Sequence, residues 1–195
     1  MLVPVYRAAI RKDATDLTAL LDSASRGLVL WFWSTISAVG QSVIEVGRTR
    51  IRNEEASPSH YSRWTVALRR GEIAGALAGY LVSDPYRAAD ISELPDPYQP
   101  ILELESKARG TWYVMALAVY PEFRKKGLGA AMLDKAAEIS AEAGCSRLSV
   151  MLVSENCGAL QLYRRKGFAE VDRRPYIAFP GSKDSGDWIL LMKEI

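Results

Sequence analysis

The stretch Arg124-Lys125-Lys126-Gly127-Leu128-Gly129-Ala130 has the residue types that hold an anion. Three cations precede two glycines one residue apart, and an apolar pattern of helical period follows. A helix start offers unpaired backbone N–H groups and the positive end of the helix dipole. Glycine lets that backbone come close to a phosphate. The chemistry suggested is diphosphate binding; the plainer reading is a glycine turn beside a solvated basic cluster. Two better-known phosphate seats do not fit. A P-loop needs Gly-Lys-Ser/Thr, and Gly129 is followed by Ala130 and Ala131. A dinucleotide fingerprint needs a further Gly or Ala where Met132 stands.

The elements that must position this loop follow from period and breakers. Residues 112–119, WYVMALAV, read as a buried strand leading into it. Gly127 to Ala143 read as a helix with Leu128, Met132, Leu133, Ala136 and Ile139 on its apolar face, ended by Gly144. Residues 147–153 form the next strand. Asn156 caps a helix, CGALQLYRRK, that Gly167 terminates, and strands follow near 169–177 and 187–193. Upstream, residues 3–10 form a first strand, and Asp13 caps a helix bearing Leu17, Leu20, Leu21 and Ala24. A second helical region covers about 28–52, broken near Gly40. Strands 64–69 and 73–82 form a hairpin about Arg70-Gly71-Glu72. Residues 83–110 are acidic and broken by prolines, a long connection of the kind that is functional or mobile, with ILELESKA adding a turn or two of helix. This order predicts an α/β (α+β) mixed sheet with helices on its faces.

Bulk properties narrow the function. The 195 residues suit one domain. With 25 basic and 23 acidic residues the net charge is +2, so nothing demands nucleic acid or an anionic membrane, and any anion site is local. Cys145 and Cys157 have neither metal-ligand nor CxxC spacing, which predicts no metal and a reducing, cytoplasmic setting. The first residues lack the apolar core of a signal peptide, and the run Leu28 to Trp33 is too short to span a bilayer.

Taken together, LAVYPEFRKKGLGAAML and then SENCGALQLYRRKGF resemble the GNAT superfamily of acetyl-CoA-dependent N-acetyltransferases. Arg124, Gly127 and Gly129, with Pro121 before them, match its phosphate-loop signature. Asn156, Ala159, Leu162-Tyr163 and Gly167-Phe168 match its second block in order and spacing. The close resemblance covers residues 112–170 and a looser one most of the chain. It implies a single GNAT-like domain over 1–195, with a central, mostly antiparallel twisted sheet of about seven strands and helices on both faces. The acceptor side would be built from about 11–60 and 83–110, and the acetyl-CoA core from 112–170. The cofactor would be acetyl-CoA. Its pyrophosphate would sit on Arg124, Lys125, Lys126, Gly127, Leu128, Gly129 and Ala130. Its pantetheine arm would pair with the backbone of Leu117, Ala118 and Val119, whose side chains are core. Asn156 would cap its helix and also contact the pantetheine or the substrate.

Such a reaction passes acetyl from a thioester to an amine by direct attack in a ternary complex. The amine must be neutral, the oxyanion stabilised and the departing thiolate protonated. An alkyl amine of pKa about 10.4 is only roughly 0.04% neutral at pH 7, so a base is useful. Glu103 and Glu105, just before the central strand, are the candidates, with Glu105 ahead. In an extended segment LELES would place both on one side, where they could act as an amine-binding pair. The alternative is a solvated helical turn. The resemblance makes Tyr163 the proton donor to sulfur, and a phenol is protonated at neutral pH. The alternative is a buried tyrosine packed on Leu160 and Phe168. A backbone N–H of the central strand would hold the oxyanion.

Other residues read more plainly. His60 lies in a Ser/Pro loop and is expected to be solvated. Cys157, at a helix start, lacks a base beside it in sequence. Trp31, Phe32 and Trp33 are expected in the core, or lining the acceptor pocket. Arg164-Arg165-Lys166 reads as a solvated helix end, with a 3′-phosphate contact as the lesser option; Arg173-Arg174 reads as a surface pair. Met115 stands where many relatives have a polar residue. The acidic 83–110 segment hints at a cationic or polyamine-like acceptor. The partner is then a small-molecule or peptide amine, with no nucleic acid or membrane, and the resemblance allows a homodimer. The rival readings are an acyl-CoA-binding or sensor module without turnover, and a protein that seats another nucleotide on the same loop.

Overall fold

The computed structural model describes residues 4–86 and 94–195. Among them are strands β1 (Val5–Ala8), β2 (Trp64–Arg69), β3 (Glu72–Leu81), β4 (Trp112–Val119), β5 (Arg147–Val153), β6 (Ala169–Pro175) and β7 (Asp187–Glu194). The helices are α1 (Ala14–Ser25), α2 (Leu28–Ile36), α3 (Val43–Asn53), α4 (Gln99–Glu105), α5 (Leu128–Glu142) and α6 (Cys157–Arg165). The strands form a seven-stranded sheet in the order β1-β2-β3-β4-β5-β7-β6. Pairs β1–β2, β2–β3, β5–β7 and β7–β6 are antiparallel, and β4–β5 is parallel. The mixed α/β sheet read from the sequence is therefore present. No helix among the described residues is long and apolar enough to cross a membrane.

The chain divides into two compact units. The first comprises Met1–Gly79 and Ala116–Met132. In it α1 buries Leu17, Leu20 and Leu21, as its period predicts. Arg26 and Gly27, at φ 55° and 90°, are both left-handed; they stop α1 and redirect the chain into α2. The second helical region breaks between Ile36 and Val43, with Gly40 at φ 80° in the gap. Trp33 is buried against α3, where a Cβ on Gly47 would lie 2.1 Å from its ring. The β2–β3 hairpin turns on Arg70 and Gly71, both at positive φ, a type I′ turn whose twist suits antiparallel strands. A Cβ on Gly75 would come within 2.6 Å of the Ala118 carbonyl oxygen, so β3 admits no side chain there.

The second unit comprises Tyr80–Met115 and Leu133–Ile195. Its centre is β5, buried from Leu148 to Val153, the continuous apolar run expected of a strand covered on both faces. Thr111 and Ser149 share a buried hydrogen bond of 2.7 Å that satisfies both hydroxyls. The proline-rich connection contains a true helix: α4 starts with Pro100 in its first turn and packs against β6 and β7. Of the acidic residues noted in that connection, Asp90 and Glu93 lie outside the described residues.

Candidate active site

Residues 124–130, the candidate phosphate loop, belong to the first unit. The Tyr120 N–H donates to the Ala74 carbonyl at 3.0 Å, which pins the loop to β3. A single 3-10 turn, Pro121–Phe123, follows, and Arg124 is extended. Lys125 and Gly127 then take left-handed φ values of 57° and 79°. Backbones that alternate hand in this way make anion-binding concavities of N–H groups. The buried Leu128 anchors the first turn of α5, and that turn holds no acidic residue.

Two of the three cations also brace the loop. Arg124 Nε donates to the Val119 carbonyl at 2.9 Å and Nη2 to Ser23 Oγ at 3.4 Å. Lys126 Nζ donates to the Glu122 carbonyl at 2.7 Å. Arg124 to Gly127 are exposed, while Gly129 and Ala130 are half-buried. Positive charge, strained backbone and an exposed helix start thus coincide, a combination that suits a diphosphate. Upstream, Ala118 is buried while Leu117 and Val119 are half-buried. The parallel β4–β5 ladder includes the pairs Trp112↔Leu148, Tyr113↔Ser149 and Val114↔Val150.

The second unit gathers titratable groups that sequence reasoning left scattered. Glu105 is the last residue of α4 and is half-buried. Burial pushes its carboxyl pKa up, and a hydrogen bond from the Tyr80 hydroxyl partly counters this. The Tyr80 phenol is held far above its usual range by burial and then by the Glu105 charge. Its ring stands edge-on to Tyr113, with centroids 5.5 Å apart. Tyr113 is buried on β4, and its phenol is raised by burial and then by Glu105 and Tyr163. Tyr86 is pushed up to about 12 by burial and by Glu105. Tyr163, buried on α6, is also pushed up to about 12 by burial, so its hydroxyl keeps its proton through the neutral range. Its ring packs edge-on to Phe168 at 5.5 Å, as the packing alternative expected. Packing and proton donation are compatible. Asn156 Oδ1 accepts the Ala159 N–H at 3.4 Å, the predicted cap.

Several expectations need correction. Glu103 and Glu105 do not share a side. The segment is helical, so residues two apart diverge by about 200°. Glu103 is exposed and accepts from Arg174 Nε at 2.6 Å, whereas Glu105 turns to Tyr80. His60 is not solvated; it is 6% exposed, with Nδ1 2.8 Å from Ser62 Oγ and its ring 4.4 Å from Tyr61. Trp33 is core, but Trp31 and Phe32 are only half-buried, and the Arg50 guanidinium lies 6.0 Å from the Phe32 ring. Lys166 pairs with Asp134 at 2.7 Å. Arg173 pairs with Glu170 and Asp187, and Arg174 with Asp172 and Glu103. Cys157 is exposed and Cys145 buried. Among the described residues no cluster of three or more His, Cys, Asp or Glu could hold a metal.

Sequence reasoning missed Tyr80, Tyr86 and Tyr113. Their one signal was Tyr80 itself, a large polar-tipped side chain closing the small-residue run IAGALAG.

Residues 31–168 match the Acetyltransferase (GNAT) family. GCN5-related N-acetyltransferase 4, chloroplastic, of Arabidopsis thaliana is 28% identical over 123 residues, 63% of this chain and 38% of that protein. Thialysine N-epsilon-acetyltransferase of Bos taurus is 34% identical over 55 residues, 28% of this chain and 32% of that protein. The chain thus spans well under half the length of these two relatives. Among solved structures, a ribosomal-protein-alanine N-acetyltransferase from Brucella melitensis superposes with TM-score 0.62 at 18% identity, covering 98% of this chain and 99% of that one. The Salmonella typhimurium protein yncA, solved with its cofactor acetyl-CoA, superposes with TM-score 0.59 at 15% identity, covering 98% and 93%. The loop, the sheet order and the matched stretch converge: the chain belongs to the GNAT acetyltransferase family, whose acetyl donor is acetyl-CoA.

Proposed function

We propose that the protein transfers acetyl from acetyl-CoA to a primary amine by direct attack, with Glu105 as base and Tyr163 as proton donor. The observation that carries this reading is the state of Glu105. It is a half-buried carboxylate of raised pKa, held by one phenol, in the unit that also contains Tyr163. A base works best when its pKa lies near the operating pH. Desolvation moves Glu105 toward that optimum, whereas Glu103 is exposed and its carboxylate is engaged by Arg174. Glu103 is therefore assigned a bracing role on α4.

When bound, acetyl-CoA supplies an activated thioester. The amides and cations of residues 124–130 would hold its diphosphate, and the backbone of Leu117, Ala118 and Val119 its pantetheine arm. Glu105 takes a proton from the attacking nitrogen. The Tyr163 hydroxyl gives one to the departing sulfur, so charge does not accumulate at either end. Because of the relatives' names and the carboxylate at the site, the acceptor panel comprises thialysine, spermidine and a peptide with an N-terminal alanine.

Acetyl transfer to this panel, followed as release of free thiol, tests the reading. Tyr163→Phe is expected to lower kcat about 100-fold while acetyl-CoA affinity stays at the wild-type value. Glu103→Gln should stay within about twofold, because exposed ion pairs contribute little. Wild-type protein that binds acetyl-CoA but acetylates no amine would instead mark a binding or sensor module.

A further inference from the structure

The geometry points to Tyr120 as the positioning residue of the loop at 124–130: its hydroxyl, seated on Asp16 of α1, fixes the backbone that would meet the diphosphate. This rests on acetyl-CoA placing its diphosphate on that loop. Tyr120 stands just before the 3-10 turn Pro121–Phe123 and is held at both backbone groups and at the tip of its side chain. Its N–H donates to the Ala74 carbonyl of β3 at 3.0 Å, and its carbonyl accepts the Phe123 N–H at 2.9 Å. Its hydroxyl donates to Asp16 Oδ1 at 2.8 Å. Pro121 adds a restriction, because the residue before a proline is kept out of the helical region; Tyr120 is extended at φ −58° and ψ 144°. Burial and the Asp16 carboxylate hold the proton on the phenol, so it is the donor.

The other bonds of the loop do not replace this one. Arg124 Nε to the Val119 carbonyl, at 2.9 Å, and Lys126 Nζ to the Glu122 carbonyl, at 2.7 Å, tie the segment to itself. Arg124 Nη2 to Ser23 Oγ and Arg69 Nη2 to the Lys126 carbonyl reach outward, but each is 3.4 Å, longer than the usual range. Asp16 and Ser23 lie two turns apart on α1, hence on one face, while Leu17, Leu20 and Leu21 are buried. The helix therefore offers the loop a stripe already fixed by its own core packing. That matters because Lys125, a residue with a side chain, is held at φ 57°. Such backbone persists only where its surroundings over-determine it. N–H groups turned toward an anion in advance need no ordering when it binds. By charge alone, a carboxylate on this helix would oppose an anion nearby. Its service as the acceptor for Tyr120 accounts for an acidic residue there.

Acetyl-CoA titrated into the full chain by calorimetry tests the assignment. Tyr120→Phe removes the hydroxyl and keeps the ring. It is expected to raise the Kd about tenfold, the loss of one hydrogen bond to a charged group. Asp16→Ala should do the same, and the double variant should be no weaker than either, because both remove one bond. Asp16→Asn keeps an acceptor oxygen for the phenol and should bind within about twofold of wild type. With the most active amine of the panel, Tyr120→Phe should raise KM for acetyl-CoA about tenfold and leave kcat within about twofold. An unchanged Kd in Tyr120→Phe, or additive losses in the double variant, overturns the role of Tyr120. So does tighter binding by both Asp16→Ala and Asp16→Asn, since charge alone would then be at work. Lys125→Glu separates this from the underlying reading, because that residue is exposed and its reversal leaves the core alone. If Lys125→Glu keeps wild-type affinity, the diphosphate does not lie on 124–130 and the role of Tyr120 falls with it. If it weakens binding while Tyr120→Phe does not, Tyr120 alone is wrong.

Discussion

Asp13 is 6% exposed, yet the structure keeps its carboxylate charged. Burial pushes its pKa up. The Arg7 guanidinium, at 2.6 Å and 3.0 Å, and the Ile10 N–H, at 2.8 Å, more than offset that, and the net shift is downward. The sequence marks Asp13 as a helix cap; its side chain instead bonds back to Ile10 and across to Arg7, a partner the local pattern does not name. A depressed carboxyl pKa adds stability above the unfolded value near about 3.9 and loses it as pH falls through the lower folded value. Arg7→Ala leaves that carboxylate without its cation. Because Arg7 is about one-third exposed, the expected loss at pH 7 is only about 1–2 kcal/mol. Urea melts of the two proteins should differ most near neutrality and converge at acid pH; a gap independent of pH would mean that packing, not charge, is lost. Glu105 is the opposite case. Its raised pKa comes from tertiary neighbours, which is why the sequence could rank it above Glu103 but gave no physical reason to do so.

Elements are where the sequence was most legible. The β2–β3 hairpin, α1 and α6 follow from patterns within a dozen residues, and the Arg70-Gly71 turn is chemically specified by positive φ. Glycines show the limit of such reading. Gly40 stands in open space at φ 80°, a conformational glycine that turn chemistry explains. Gly47 lies inside α3 with ordinary helical backbone, and local propensity alone would favour alanine. The Trp33 ring forbids it: an added methyl would meet three ring carbons at 2.1–2.6 Å. An indole buried in a packed core cannot give way cheaply. Gly47→Ala is therefore expected to destabilise by about 1–3 kcal/mol despite the better helix former. A thermal melt unchanged or improved would mean that α2 and α3 adjust freely. The same reasoning explains α4. Its prolines signal a loop, but Pro100 sits in the first turn, where it is tolerated, and Leu102 and Leu104 supply buried contacts that hold a seven-residue helix in place.

On the scale of the whole chain, the net charge is close to neutral, so the proposed anion site at residues 124–130 would be local, and linkage gives a simple check. A ligand that binds only the folded state at about 100 times its Kd adds roughly 2.7 kcal/mol. For a chain of this size that is about 5–10 °C in Tm. Acetyl-CoA is expected to produce this rise, and ATP and NADH much less. A larger response to either nucleotide would reassign the loop to another diphosphate. The sequence by itself determined the glycine-bearing turn at 124–130, the helix behind it, the Asn156 cap and the place of Tyr163 on the helix it caps, and with them the family. Those features are contiguous, and a helix start, a glycine pair or a cap needs only neighbours along the chain. Tertiary structure decided which carboxylate is desolvated and which phenol meets it. Tyr80, Glu105 and Tyr113 come from three separate segments, and desolvation depends on what is near in space.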